Sequence, residues 1–387
     1  MEFSIAKVLD EIEESGIRKL FEIASKEKDI ISLGIGEPDF DTPNHIKEYA
    51  IEALNKGYTH YTPNIGLKIL RDAISEKLKK ENNINADPDS NIMITIGGNQ
   101  AFFLALSTFI NPGDEVIIPS PYFVTHAAAT KLVGGKVIEV KTSIENEFKI
   151  IPDDIKKLIT KKTKCIIINT PNNPTGSVYG RKEIEEIFDI ANEYKIKIIS
   201  DEVYEKLIYD GEHISIASLD KNLDFVISVF SFSKSYAMTG WRIGYVVADS
   251  NTISKMVKFQ MYLATCANSF AQYAAAMALR DSRSNQYIEY MKNEYKKRRD
   301  YVLKRLNEIN GFISYKPKGA FYIFPKIFID DNIFSERILK EAKVAVVPGS
   351  AFGTYGKNHI RISYATSIEN LEKAFDRIEK FMKLLNK

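Results

Sequence analysis

Cysteine is nearly absent from this chain. Cys165 and Cys266 are the only two in 387 residues. They cannot build a disulfide framework, and such sparse use points to a reducing compartment, the cytoplasm. Histidine is scarce too. The five histidines (His45, His60, His126, His213 and His359) show no H-x-x-x-H spacing, and the lone H-x-x-E, His45 to Glu48, has no second histidine near it in sequence, so no metal site is expected. An excess of charge of one sign is also lacking. Lys and Arg number 53 against 51 Asp and Glu, with no long like-charge block, which argues against a nucleic-acid partner. No apolar run approaches the ~20 residues that cross a bilayer, so no membrane partner is expected. The first residues, Met1 to Glu14, are amphipathic and acidic, without the basic start and apolar centre of a signal peptide. Internal repeats and low-complexity stretches are missing as well.

What is present suits a globular protein. The chain is 44% hydrophobic and 27% charged, and it is long enough for two domains or for one with an appendage. Apolar, β-rich runs occur at 92–96, 115–118, 136–140, 164–168, 195–199, 225–230 and 244–248, and helical patterns such as 181–190 lie between several of them. Near-continuous apolar strands alternating with helices predict an α/β fold, a mostly parallel seven-stranded sheet covered on both faces. From about 286 the character changes. A long charged helix over 287–306 leads to a shorter α+β region with strand-like runs at 320–324, 344–347 and 360–364. The expected division is an N-terminal arm over 1–45 that packs against the small domain, a large domain over 46–285 and a small domain over 286–387.

Ligand sites in such sheets lie at the carboxyl ends of strands, and four candidates stand there. Gly97-Gly-Asn-Gln100 opens a helix and offers free amides to a phosphate, though an ordinary strand-to-helix turn would read the same. Asn169-Thr-Pro-Asn-Asn173-Pro-Thr-Gly176 is a rigid turn whose asparagines could meet a cofactor oxygen. Asp201 ends an apolar strand, either as a helix cap or as the partner of a protonated ring nitrogen. Lys234, in Ser231-Phe-Ser-Lys234, follows the run 225–230, with Arg242 shortly beyond. A lysine there can bond a carbonyl cofactor while serines and an arginine hold its phosphate. The same four residues fit the S-x-x-K signature of serine acyl enzymes, but the partner S-D-N and K-T-G motifs are absent. Gly34-Ile-Gly36 is a fragment of a dinucleotide fingerprint that lacks its third glycine and runs into Glu37-Pro38.

Taken together these residues resemble the class I aminotransferases, the fold-type-I enzymes that depend on pyridoxal phosphate. The likeness covers almost the whole chain. It runs from Leu33-Gly-Ile-Gly-Glu-Pro-Asp-Phe40-Asp-Thr-Pro43 through Tyr61-Thr-Pro-Asn-Ile-Gly66, Asn172-Asn-Pro-Thr-Gly176, Asp201-Glu-Val-Tyr204 and the Lys234 segment. It ends with Pro348-Gly-Ser-Ala-Phe-Gly353 and Arg361-Ile-Ser-Tyr-Ala365. The chain is similar in particular to the archaeal aromatic and aspartate aminotransferases.

The resemblance implies a role for each residue. Lys234 bonds the aldehyde of pyridoxal 5'-phosphate. Asp201 pairs with the ring nitrogen, and Tyr204 and Asn173 meet the phenolic oxygen. Phe123 stacks on the ring, with Tyr122 as the fallback. The amides of Gly98, Asn99 and Gln100, together with Ser231, Ser233 and Arg242, hold the phosphate. Tyr61 reaches the phosphate of a neighbouring subunit, which makes a homodimer with shared sites part of the mechanism. Arg361 clamps the substrate carboxylate, and Gly36 lets backbone approach it. The implied reaction is ping-pong transamination between an amino acid and a 2-oxo acid acceptor, 2-oxoglutarate. Relatives specific for aspartate often carry a lysine where this chain has Asn99, and the segment 15–17 is small and partly apolar. Both features tilt the expected donor toward aromatic amino acids, with aspartate or kynurenine as alternatives. A lyase or synthase on the same fold is the enzymatic rival. A non-catalytic regulator would be expected to have lost the lysine or to carry a DNA-binding extension, and neither is seen.

Overall fold

The computed structural model describes residues 6–12 and 29–385. Its strands in chain order are β1 (Ile31–Ser32), β2 (Ile92–Thr95), β3 (Glu115–Ser120), β4 (Lys136–Lys141), β5 (Thr163–Asn169), β6 (Lys197–Asp201), β7 (Val226–Ser231), β8 (Gly244–Val247), β9 (Tyr322–Ile323), β10 (Val344–Ala345), β11 (Val347–Pro348) and β12 (Ile360–Ser363).

Seven of these form one sheet in the order β2-β8-β7-β6-β5-β3-β4. Only β8 is antiparallel to its neighbours, so the other six run the same way and open their carboxyl ends on a single edge. The apolar runs are continuous because both faces are covered. Ile92 and Ile94, Ile166 and Ile168, and Ile198 pack into one core, whereas Met93, Cys165, Ile167 and Ile199 pack into the other. Burial pushes the Cys165 thiol up to about 12, which makes it an inert core residue.

The covering helices follow from local pattern. In Arg181–Tyr194 the buried Ile184, Ile187 and Ile190 recur at helical spacing, Glu183 reaches back to the Gly180 amide at 3.0 Å, and Lys195 closes the helix with φ 56°. The long charged helix spans Ser282–Glu308 and so starts before the predicted 287, because Asp281 caps the Arg283 amide at 2.9 Å. It is continuous across position 286.

Beyond it, β9, β12 and β11 make an antiparallel three-stranded sheet. The single run predicted over 344–347 is two strands with different partners. β10 pairs in parallel with β1, and β11 pairs with β12. The segment after β1 is tied to the same region, since Ser363 donates to the Leu33 carbonyl at 2.7 Å. Among the described residues no helix is long and apolar enough to cross a membrane.

Candidate active site

The carboxyl ends of β2, β3, β5, β6 and β7 border a cavity of roughly 300 Å³ that also takes in Gly36, Tyr322 and Arg361. Every predicted site residue lines it except Gln100 and Tyr61.

Lys234 sits in a single helical turn, Phe232–Ser235, which starts because the Ser231 hydroxyl accepts from the Ser233 amide at 3.1 Å. Its Nζ donates to the Gly36 carbonyl at 2.5 Å. Burial brings the ammonium down to about 8; Arg361 and Arg242 add to the fall, while Glu37 and Asp201 oppose it. Gly36 is a close approach: a Cβ there would lie 2.4 Å from the Tyr322 hydroxyl.

Asp201 is the last residue of β6 and is buried. Its Oδ2 meets His126 Nε2 at 2.9 Å, and its Oδ1 accepts from the Val203 amide at 3.3 Å. Residues 203–206 form a turn rather than a helix, which removes the simple helix-cap explanation of this carboxylate. His126 is itself fixed between Phe102, 4.6 Å away centroid to centroid, and the edge-on ring of Phe123 at 5.7 Å.

Arg361 on β12 is 1% exposed. Nη1 donates to Asn173 Oδ1 at 2.9 Å and Nη2 to the Gly34 carbonyl at 2.6 Å. The guanidinium lies 4.6 Å from the Tyr322 ring centroid and 5.0 Å from that of Phe352. Its Nε has no partner among the described residues, and burial lowers its pKa below the usual value. Asn173 is held in turn by Asn169, whose Oδ1 accepts the Asn173 amide at 2.8 Å. The Tyr204 hydroxyl pairs with that of Tyr322 at 2.8 Å, and burial pushes the Tyr204 phenol well above its ordinary value.

Gly98 and Asn99 lie in the first turn of the helix Gly97–Phe109, where free amides favour an anion. Arg242 lies against this turn. A side chain at Gly97 (φ +76°) would put its Cβ 2.5 Å from Arg242 Nη2, so glycine admits the guanidinium. Arg242 Nη1 donates to the Thr239 carbonyl at 2.9 Å.

Gln100 instead turns back on the strand, its Oε1 accepting the Ile96 amide at 2.7 Å. Tyr61 is 87% exposed and away from the cavity of its own chain. Tyr122 is drawn aside, its hydroxyl donating to Glu139 at 3.1 Å, so of the two candidate rings Phe123 is the one that lines the cavity. The expectation placed on residues 15–17 lies outside the described residues.

Sequence reasoning missed Tyr322, His126, Glu37 and Thr239. Tyr322, Glu37 and Thr239 line the cavity, and Thr239 donates its hydroxyl to Glu37. Tyr322 lay inside the strand-like run 320–324, where nothing set it apart from its neighbours. His126 carried only a negative signal, the lack of a metal spacing.

The family model described as aminotransferase class I and II matches residues 28–378. An aspartate aminotransferase of Pyrococcus abyssi is 59% identical over 97% of both chains. Aromatic-amino-acid aminotransferase 2 of Thermococcus litoralis is 56% identical over the same shares. Among solved structures, an aromatic aminotransferase from Pyrococcus horikoshii superposes with a TM-score of 0.91 at 56% identity, covering 96% of this chain and 99% of its own. Aspartate aminotransferase from Thermus thermophilus with maleate gives 0.94 at 36%, covering 98% and 100%.

Proposed function

We propose, from the premise that the chain belongs to the class I and II aminotransferase family, that the cavity around Lys234 moves an amino group from an aromatic amino acid to 2-oxoglutarate. The chain is an enzyme dependent on pyridoxal 5'-phosphate whose substrates are an amino acid and a 2-oxo acid.

The state of Arg361 carries the reading. A buried guanidinium with no carboxylate partner among the described residues, and with Nε unpaired, is a costly arrangement. A ligand carboxylate would complete it. Both substrates carry one, and Lys234 lines the same cavity.

The residues also fit the cofactor. Gly98, Asn99, Ser231, Ser233 and Arg242 supply donors for a phosphate. Asp201 supplies a carboxylate for the ring nitrogen, and Phe123 supplies a ring face. Because Asn173 Oδ1 is taken by Arg361, its amide nitrogen is left to donate to a phenolic oxygen beside Tyr204. When bound, the cofactor supplies an electron sink for the charge left on the substrate Cα. Asp201, aligned by His126, keeps the ring nitrogen protonated. Lys234 would hold the aldehyde, and its free amine would be placed to take up the Cα proton of the substrate and return it. A lysine brought to about 8 is part neutral at working pH, as that task needs. Arg361 holds the carboxylate and so selects which Cα bond faces the electron sink.

The cations that line the cavity are Lys234, Arg242 and Arg361. With these engaged by the cofactor aldehyde, the phosphate and the α-carboxylate, no cation of the described cavity lining remains for a distal carboxylate, and Asn99 is uncharged. This supports aromatic donors, while the acceptor's second carboxylate has neutral donors such as Asn99 to meet. The relative named aspartate aminotransferase favours aspartate as the second reading.

A homodimer with shared sites belongs to the same proposal, since Tyr61 and Tyr262, 87% and 80% exposed, are large rings that a second copy would cover. So do a cytoplasmic location, suggested by the sparse cysteines, and the division at residues 45 and 285. Borohydride reduction followed by peptide mass analysis should leave a pyridoxyl group on Lys234; an unmodified Lys234 would overturn the assignment. Comparing kcat/KM for tyrosine, phenylalanine, tryptophan, aspartate, glutamate, alanine and kynurenine should rank the aromatic donors first, and a clear aspartate preference would refute that choice.

A further inference from the structure

Resting on the role given above to Tyr204, we propose that Tyr322 is a positioning residue whose hydroxyl fixes the Tyr204 phenol against the cofactor's phenolic oxygen. Tyr322 stands on β9, is wholly buried and lines the cavity. Its hydroxyl lies 2.8 Å from that of Tyr204, and the two rings cross at 85° with centroids 5.8 Å apart. Three neighbours hold it there. The Arg361 guanidinium covers its ring at 4.6 Å, β9 is paired with β12 through Ser363 opposite Tyr322, and the main chain at Gly36 passes so close to the hydroxyl that no side chain would fit.

Two phenols share one hydrogen bond here, and burial pushes both above their ordinary values, so both keep their protons at neutral pH. If Tyr322 donates to Tyr204, the Tyr204 proton is left to point into the cavity, and the chained bonds polarise one another. The charged groups around the pair are Arg361 from β12, Asp201 at the end of β6 and Lys234 beyond β7, whose Nζ lies 5.9 Å from the Tyr204 ring centroid. None of them accepts the Tyr204 proton in the described hydrogen bonds, so with Tyr322 as the donor that proton is left for the cavity.

The test is the pH midpoint of the bound cofactor's visible absorbance in holoenzyme of the wild type, Tyr204→Phe, Tyr322→Phe and the double variant. A donor to the phenolic oxygen favours its more negative, deprotonated form, so Tyr204→Phe should raise the midpoint. Tyr322→Phe should raise it by less, roughly 0.3–1 pH unit. In the Tyr204→Phe background it should add nothing. Because the ring beneath Arg361 is retained, KM for donor and acceptor should stay within about 2-fold while kcat falls. A midpoint unmoved by Tyr322→Phe, or moved equally in both backgrounds, overturns the proposal. A midpoint unmoved by Tyr204→Phe instead overturns the underlying assignment of Tyr204.

Discussion

Among the described residues two arginines, Arg299 and Arg361, are almost completely buried, and they are treated in opposite ways. Arg299, on the helix Ser282–Glu308, donates to Asp210 at 2.5 Å, to Asp300 at 2.9 Å and to the Pro317 carbonyl at 2.9 Å. Burial works against its charge, yet the two aspartates outweigh that and hold it above its ordinary value. Arg361 has a carbonyl, an amide oxygen and two ring faces but no carboxylate among the described residues, and burial lowers it. The first charge is completed within the fold and serves stability. The second is left incomplete where the cavity can supply the missing partner. Lys234, also drawn down by burial, belongs with the second. A polar group that a fold buries and leaves unanswered marks where a ligand is expected.

The largest effect that tests this contrast is chemical. Lys234→Ala should cut transamination by ~10³-fold or more while some cofactor binding survives, because the phosphate and ring contacts remain. Turnover near the wild-type rate would break the assignment. Next, Arg361→Leu should lower kcat/KM by ~10²-fold or more for donor and acceptor alike, through KM, as two charge-assisted bonds to the shared carboxylate vanish. The cofactor-free chain should melt no lower than the wild type, since an unanswered buried charge has been removed. A KM effect on only one substrate would defeat the shared-carboxylate argument.

Arg299→Leu should show the reverse signature. We expect a loss of about 2 kcal/mol in stability, less than for a deeply buried pair because its aspartates reach solvent, with KM per folded molecule within about 2-fold. Denaturant melts and kinetics on the same samples separate the two arginines. If both lose KM and stability alike, the contrast fails.

The smallest effect is a pH dependence. Lys234 is depressed in the fold, from 10.5 to about 8, so between these values the unfolded chain holds more protons on it than the folded chain does. Stability of the cofactor-free protein should therefore gain a contribution as pH rises from about 8 to 10.5, and Lys234→Met should lack that part of the rise. Parallel melting curves across that window would reveal no difference if the amine were not depressed.

Much of this was legible in advance. All seven strands of the large sheet stood out as apolar runs, because a strand covered on both faces has no polar side to interrupt it. Asp201 and Lys234 were visible because each follows such a run directly. The 344–347 run was misread as one strand, since apolar residues do not record which neighbour each half pairs with. Gln100 was grouped with Gly98 and Asn99 by adjacency, yet its side chain turns back to the strand amide. The start of the long helix was placed late because its first residues, Ser282 to Asn285, carry no apolar spacing.

The sequence by itself determined which side chains stand at the open edge of the sheet, since strand periodicity, turn residues and helix starts are matters of a few neighbouring positions. Only the tertiary structure decided what those side chains meet. His126 reaches Asp201 across 75 positions, Tyr322 reaches Tyr204 across 118, and Arg361 is brought to Asn173 across 188. Such pairings depend on how the seven-stranded sheet, the three-stranded sheet and the segment around Gly36 pack together, and packing over that separation leaves no local trace in the order of residues.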